Sequence, residues 1–302
     1  MRTPVIILAL GAVAVFLPPV LPSGYFVNVL IVICIYILLA SSLDIVVGWT
    51  GKYSFAQAAF FGIGAYTAAI LEREFGTGIL VHLPAGLCVA ALFGLLLGLP
   101  SFRLHGHFLA IMTIAFQTVV YLTLAQWTGF TGGQYGLSVS PVSWAAALPE
   151  FYRLALLITV VVLLFVFFLT RSRFGDSLRA VRDDEELART IGIDSRAIKL
   201  AAFVLSAGIA GIAGVLMAHH VRGVTPNDYT ILISATIMAM VLVGGKGRFW
   251  GPLLGATLLT VLPELMGDLE EYRHMIYGAL LTFVIIVMPE GIAGLVARRR
   301  SA

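Results

Sequence analysis

The chain has 302 residues, 60% of them apolar and only 12% charged, with 31 glycines and a formal net charge of +3. A soluble domain carries roughly 25% charge, so a sizeable soluble domain is excluded. The charge that is present lies in clusters between long apolar runs, and those runs set the architecture.

A helix needs about 20 mostly apolar residues to cross a bilayer. Ten spans are predicted, at 4–21, 26–47, 54–71, 79–99, 106–126, 152–170, 200–219, 229–245, 249–265 and 273–289. The charge-free runs 3–43 and 104–149 are too long for one helix and carry turn residues inside them. Pro18-Pro19 and Pro22-Ser23-Gly24 break the first, and the segment from Trp127 to Gly136 breaks the second. Arg2 and the apolar stretch after it resemble the start of a signal peptide. No small-residue cleavage pattern follows, so the first helix is expected to be retained. Cys34 and Cys88 fall inside spans and imply no disulfide framework. The expected fold is all-α: a polytopic transmembrane helix bundle of about ten spans, one transmembrane domain over 1–302 with a charged loop at 171–199.

That loop holds 13 of the 35 charged residues. If it is cytoplasmic, the side of every other loop follows. Arg2, Lys52, Arg103, Lys246, Arg248 and Arg298 to Arg300 then also lie inside. Only Arg73, Arg153, Arg222 and Arg273 lie outside, a split of 15 to 4. The positive-inside rule expects this asymmetry for short loops, and it puts both termini in the cytoplasm.

Several chemistries are excluded. Gly244-Gly245-Lys246-Gly247 lacks the spacing and the hydroxyl of a phosphate-binding loop. The pairs His105/His107 and His219/His220 have no Cys, Asp or Glu at ligand spacing, so no metal site is expected. The run Asp183-Asp184-Glu185-Glu186 is flanked by arginines at helical spacing and reads as an ion-paired face rather than a magnesium site. A charge at mid-membrane costs at least ~2.5–3.5 kcal/mol, and such residues usually mark an ion pathway. Asp44 is the exception among the spans, and it is expected to reach water near the cytoplasmic end of its helix. The scarcity of such groups argues against a proton- or sodium-coupled carrier.

Within the charged loop, Phe174, Leu178, Val181, Ala188 and Ile191 recur at intervals of three, four or seven. They predict one helix from Gly175 to Thr190 with a single apolar stripe. Gly192 supplies the stop and Asp194 the cap of the helix leading into the next span. Two readings fit: a helix lying on the membrane with its stripe against the spans, or one whose end docks in a groove of a soluble partner.

Four stretches carry a family resemblance. Glu186-Leu187-Ala188, followed after three residues by Gly192, is similar to the E-A-A-x-x-x-G loop of ABC importer permeases. Gly48-Trp49-Thr50-Gly51-Lys52-Tyr53-Ser54-Phe55-Ala56-Gln57-Ala58-Ala59-Phe60-Phe61-Gly62-Ile63-Gly64-Ala65-Tyr66 resembles the G-x-x-G-x-x-S-x-G-[HQ]-A-A-F-F-G-I-G-A-Y signature of branched-chain amino acid permeases. The stretch from Val243 to Ala256 resembles their G-G-x-G-[ST]-x-x-G-P-x-x-G-A, and Thr131-Gly132-Gly133-Gln134-Tyr135-Gly136-Leu137 resembles the T-G-G-x-x-G-L of the LivM type. The likeness runs from about Asn28 to Glu290. Asp44, Lys52, Ala56 and Arg248 depart from the family's usual Asn, Gln or Leu, Gly, and Ser or Thr.

The resemblance implies a non-enzymatic permease subunit of an ATP-driven importer in a bacterial inner membrane. Its substrates would be leucine, isoleucine and valine, with urea and short amides as the runner-up and other amino acids after them. The alternative of another class is a membrane enzyme or receptor using the charged loop. The implied partners are a homologous H-type permease, two cytoplasmic ATPases and a periplasmic or lipid-anchored binding protein. No cofactor is expected in this chain, ATP being hydrolysed by the partners. Arg179, Arg182, Asp183, Glu186, Ala188 and Gly192 would couple to the ATPase. Ser54, Gln57, Tyr66, Thr113 and Gln117 would either line the pathway or bond helix to helix. Gly62 and Gly64, with Gly247, Gly251 and Gly255 at four-residue intervals, offer small surfaces for close helix approach. Glu264 and Asp228 fall at the outer edge and are either ordinary loop charges or part of the surface where a binding protein would dock. The family further implies an inverted repeat of spans 2–5 and 7–10, although the two sets share no convincing sequence similarity.

Overall fold

A computed structural model describes residues 2–15, 24–101 and 108–265, with residue 293 alone beyond them. The long helices follow the apolar runs. They are α1 (Arg2–Val15), α2 (Gly24–Thr50), α3 (Gln57–Phe75), α4 (Ile79–Ser101), α5 (Phe108–Gln126), α7 (Leu148–Thr170), α10 (Ser195–Val221), α11 (Ile231–Gly244) and α12 (Gly251–Leu265). Short helices lie between them: α6 (Thr128–Thr131), α8 (Arg173–Asp183) and α9 (Glu185–Thr190). Among the described residues, six segments are long and apolar enough to cross a membrane: 24–50, 79–101, 109–126, 148–170, 195–221 and 226–244. The expected tenth span at 273–289, the prolines at 18, 19 and 22, and the pair His105/His107 lie outside the described residues.

The bundle is organised by α2 and α10. Helix α10 packs on α4, α3 and α2, while α2 also meets α7 and the α11–α12 hairpin, and α1 lies against α7. The close packing of α10 comes from the small residues Ala207, Gly208, Ala210, Gly211, Ala213 and Gly214 in its middle turns. A Cβ at Gly211 would run into the Gly86 carbonyl, and one at Gly214 into the Phe61 carbonyl. Without bulky side chains the backbones approach closely, which is how helices gain contact where lipid offers no hydrophobic drive.

The segment expected only to break the chain after Gln126 is itself structured. The Thr131 hydroxyl donates to the carbonyls of Leu124 and Trp127 at 2.7 and 2.8 Å. Gly132, Gly133 and Gly136 take φ of +74°, +58° and +70°, which residues with a Cβ rarely adopt. The chain then forms a two-residue strand, β1 (Leu137–Ser138), antiparallel to β2 (Gly223–Val224) just after α10. This small sheet is an addition to the expected all-α fold.

Candidate translocation and coupling site

Helix α2 ends at Thr50, and Gly51 turns the chain with φ +71°. Residues 51–56 then run back into the bundle before α3 begins. Gln57, the first residue of α3, hydrogen-bonds Ser42 of α2. Ser42 lies eight residues before the end of α2, so α3 starts about 12 Å deep. Non-helical backbone at that depth needs protein partners, and side chains supply them. The Phe55 N–H donates to Thr113 Oγ1 of α5 at 3.0 Å. The Ala58 N–H donates to Ser234 Oγ of α11 at 2.9 Å, and the Ala56 N–H to Ser54 Oγ at 3.4 Å. The Ser206 hydroxyl of α10 donates to Gln57 Oε1 at 3.4 Å. Gln117 Nε2 donates to the Tyr229 carbonyl at 2.6 Å, holding the turn before α11.

Ser54, Gln57, Thr113 and Gln117 are therefore buried and hydrogen-bonded, the last three between elements and Ser54 within the 51–56 segment. Tyr66 differs. It faces a cleft of about 490 Å³ bounded by Ile63, Val89, Phe116, Val120 and Trp127 among others, with an almost wholly apolar lining. The Tyr66 hydroxyl and Gln117 Oε1 are buried without a hydrogen-bond partner. Of the five polar residues chosen from the sequence, Tyr66 is the one that lines this cleft.

The five signature glycines divide. Gly62 faces the Tyr229 ring, where a Cβ would come within 2.9 Å, and Gly64 abuts the backbone of Gly211. Gly251 and Gly255 let α12 press against α11, since a Cβ at Gly255 would strike the Met240 carbonyl. Gly247 is a correction. It lies in the 245–250 turn with φ +71°, beside Gly48, and not on the face of α12. The four-residue interval is shared by a turn and a helix, and spacing alone does not separate them.

Asp44 is a second correction. It is 3% exposed and does not reach water. The 245–250 turn folds over the end of α2, so one carboxylate oxygen accepts from the Gly247 N–H at 2.8 Å and the other from Trp49 Nε1 at 3.1 Å. The Gly48 carbonyl accepts from Arg182 Nη1 of α8 at 3.2 Å, and the Arg179 guanidinium lies 5.5 Å from the Trp49 ring centre. Lys246 reaches the Tyr53 hydroxyl at 3.1 Å. The ends of α2, the 245–250 turn and the charged loop thus form one junction.

In the loop, the expected single helix is two. Asp184 adopts an extended conformation (φ −155°, ψ 108°), ending α8 and capping α9 by accepting from the N–H groups of Glu186 and Leu187. The acidic run contains a strong N-cap residue, and an N-cap requires non-helical backbone. Leu178, Val181 and Ala188 are buried, as the stripe implied. Ile191, the last residue of the stripe, instead stands 69% exposed, because it lies past the end of α9; Leu187, outside the stripe, is 61% exposed. Gly192 adopts φ +88° at the end of α9, and Asp194 caps α10 through the N–H groups of Arg196 and Ala197.

Glu185, rather than the neighbouring Glu186 of the loop motif, is the electrostatic centre. Its carboxylate meets Lys199 Nζ at 2.6 Å, Arg189 Nη2 at 2.7 Å, Lys52 Nζ at 3.4 Å and the Ser195 hydroxyl at 3.1 Å. Burial works against the charge, but the hydrogen bond and charge of Lys199, then Lys52 and Ser195, hold the pKa down at about 2. Glu186 is exposed. The i,i+4 spacing of Glu185 and Arg189 was visible in the sequence, but the approach of Lys52 was not. Asp228 and Glu264 also have local partners: Asp228 accepts from the Thr225 N–H and hydroxyl in a capping box, and Glu264 accepts from the Tyr25 hydroxyl.

Residues 25–286 match the family described as "Branched-chain amino acid transport system / permease component". The chain is 35% identical to the high-affinity branched-chain amino acid transport system permease protein LivM of Escherichia coli K12, over 95% of this chain and 74% of that protein. It is 26% identical to the probable LivH permease of Methanocaldococcus jannaschii, over 85% and 88% of the two chains. To LivH of Escherichia coli K12 it is 24% identical, over 86% and 91%. No solved structure gives a significant match. The turn into α3, the glycine-packed α11–α12 hairpin and the paired loop helices all lie within the matched region, and the chain belongs to the branched-chain amino acid transport system permease family, as a multi-pass membrane protein of the LivM type.

Proposed function

We propose that this chain is a membrane subunit of an ATP-binding-cassette importer that carries leucine, isoleucine and valine across a bacterial inner membrane. The observation that carries the coupling part of this reading is the junction of α8 and α9 with the ends of α2 and α10. There, Arg182 holds the Gly48 carbonyl and Glu185 gathers Lys52, Arg189 and Lys199. A force on the loop would reach the two central helices through these bonds, while Leu187 and Ile191 stand free for a soluble partner. Exposed leucine and isoleucine side chains at the tip of a charged loop suit a groove on a cytoplasmic ATPase.

In this reading two ATPases grip the loops of this chain and of a homologous H-type permease, and a periplasmic or lipid-anchored binding protein delivers the solute. ATP is hydrolysed by the partners, and this chain carries no cofactor. Ten spans, with both termini inside and an inverted repeat of spans 2–5 and 7–10, agree with the basic-residue split and with Lys52 and Lys246 lying on the loop's side of the bundle. The apolar cleft beside Tyr66 suits passage of an apolar side chain with low affinity.

Uptake of labelled leucine by cells with and without the chain tests this, with excess valine, urea or glutamate as competitor. Loss of a leucine signal that valine competes and urea does not supports the reading. Loss of a urea or amide signal with leucine uptake unchanged replaces the substrate, and no change for any solute refutes the transport role.

A further inference from the structure

At the end of the bundle opposite the charged loop, three helix ends bring together residues far apart in sequence. Glu72 lies near the end of α3, His82 near the start of α4 and His219 near the end of α10. Each offers one ligand atom within 4.8 Å of the others. Both imidazoles are buried, at 0% and 5% exposure, and their rings stack. The neighbouring His220 turns instead onto the Phe151 ring.

His219 Nδ1 lies 3.3 Å from the Ser140 carbonyl, which can only accept, so Nδ1 carries the proton and Nε2 a lone pair. His82 Nε2 lies 3.0 Å from Thr77 Oγ1, a hydroxyl that can donate or accept and that also lies 3.3 Å from the Leu71 carbonyl. His82 Nδ1 and His219 Nε2 face each other at 2.9 Å. With its proton on Nε2, donated to Thr77, His82 presents Nδ1 beside His219 Nε2 as a second lone pair for a cation.

The carboxylate supplies the charge. Glu72 Oε1 accepts from the Ser140 N–H at 2.7 Å, while Oε2 is buried without a partner. Ser140 thus anchors both Glu72 and His219 by its backbone, as carbonyls and amides commonly orient metal ligands from behind. Imidazole nitrogen and carboxylate oxygen in a two-to-one set, with room for a fourth ligand, suit zinc. Two nitrogens on one tetrahedral zinc ion lie ~3.3 Å apart, which a slight ring rotation provides.

We propose that Glu72, His82 and His219 bind one zinc-class divalent cation, which ties the ends of α3, α4 and α10 together. No local motif announces this site, because its ligands come from three helices and meet only when the glycine faces of α3, α4 and α10 pack. It is independent of which solute the chain carries.

The test uses the full chain purified in detergent, stripped with chelator and desalted, then titrated with Zn²⁺ while bound metal is counted by mass spectrometry. Co²⁺ serves as an optical probe of a tetrahedral site. One zinc per chain is expected, with affinity at least tenfold weaker in Glu72→Gln and lost in His219→Asn. Zinc should raise the melting temperature of the unsubstituted chain and not that of Glu72→Gln. Should His219→Asn fail to fold, Glu72→Gln carries the test, since Glu72 sits at the partly exposed rim. Absence of stoichiometric zinc, or binding unchanged in Glu72→Gln, overturns the proposal. So does a shared proton only, read as an imidazolium ¹⁵N signal without metal uptake.

Discussion

Replacing Glu185 by Gln removes the charge that Lys52, Arg189 and Lys199 converge on, while keeping the size of the side chain. The pKa of Glu185 falls from 4.5 to about 2 in the folded chain. At 1.36 kcal/mol per unit this is about 3 kcal/mol as an upper bound. Solvent screening of a carboxylate 23% exposed brings it to about 1–2 kcal/mol. Because the folded pKa is the depressed one, the contribution is present above about 4.5 and is lost as pH falls towards about 2. Hydrogen exchange of the amides from Arg173 to Thr190 reads the effect locally. A loss of 1–2 kcal/mol should speed exchange about five- to thirtyfold at neutral pH. The unsubstituted loop should lose the same protection between pH 4.5 and 2 after correction for intrinsic rates, while Glu185→Gln stays flat. Equal protection in both chains at neutral pH would refute the claim that this carboxylate locks the loop to α10.

Asp44→Leu should destabilise the chain by about 2–5 kcal/mol, because the buried Gly247 N–H and Trp49 Nε1 lose their acceptor; Asp44→Asn, which keeps one acceptor, should cost less in a thermal melt. Gly255→Val should force α12 away from the Met240 carbonyl and lower stability by at least about 1–3 kcal/mol, read by the same melt. Leu187→Asp, at an exposed position, should shift stability by less than about 0.5 kcal/mol yet abolish ATP-coupled uptake; normal uptake would refute Leu187 as a docking residue.

Membrane class, family and the apolar helices among the described residues were legible in the sequence, because apolar run length and signature spacing are local properties. The cap at Asp194 and the stop at Gly192 were legible for the same reason, being set by a few neighbouring atoms. Local pattern also misled in definite ways. The acidic run read as one helical face, although Asp184 gains more as an N-cap than as a helical residue. Gly247 shared the interval of Gly251 and Gly255 while belonging to a turn. Asp44 looked close to water until the distant 245–250 turn covered it. Only the tertiary structure decided that Lys52 joins Glu185, that Ser234 and Thr113 satisfy the start of α3, and that Glu72 meets His82 and His219. Each of these joins segments far apart in sequence, and their meeting depends on how those segments pack.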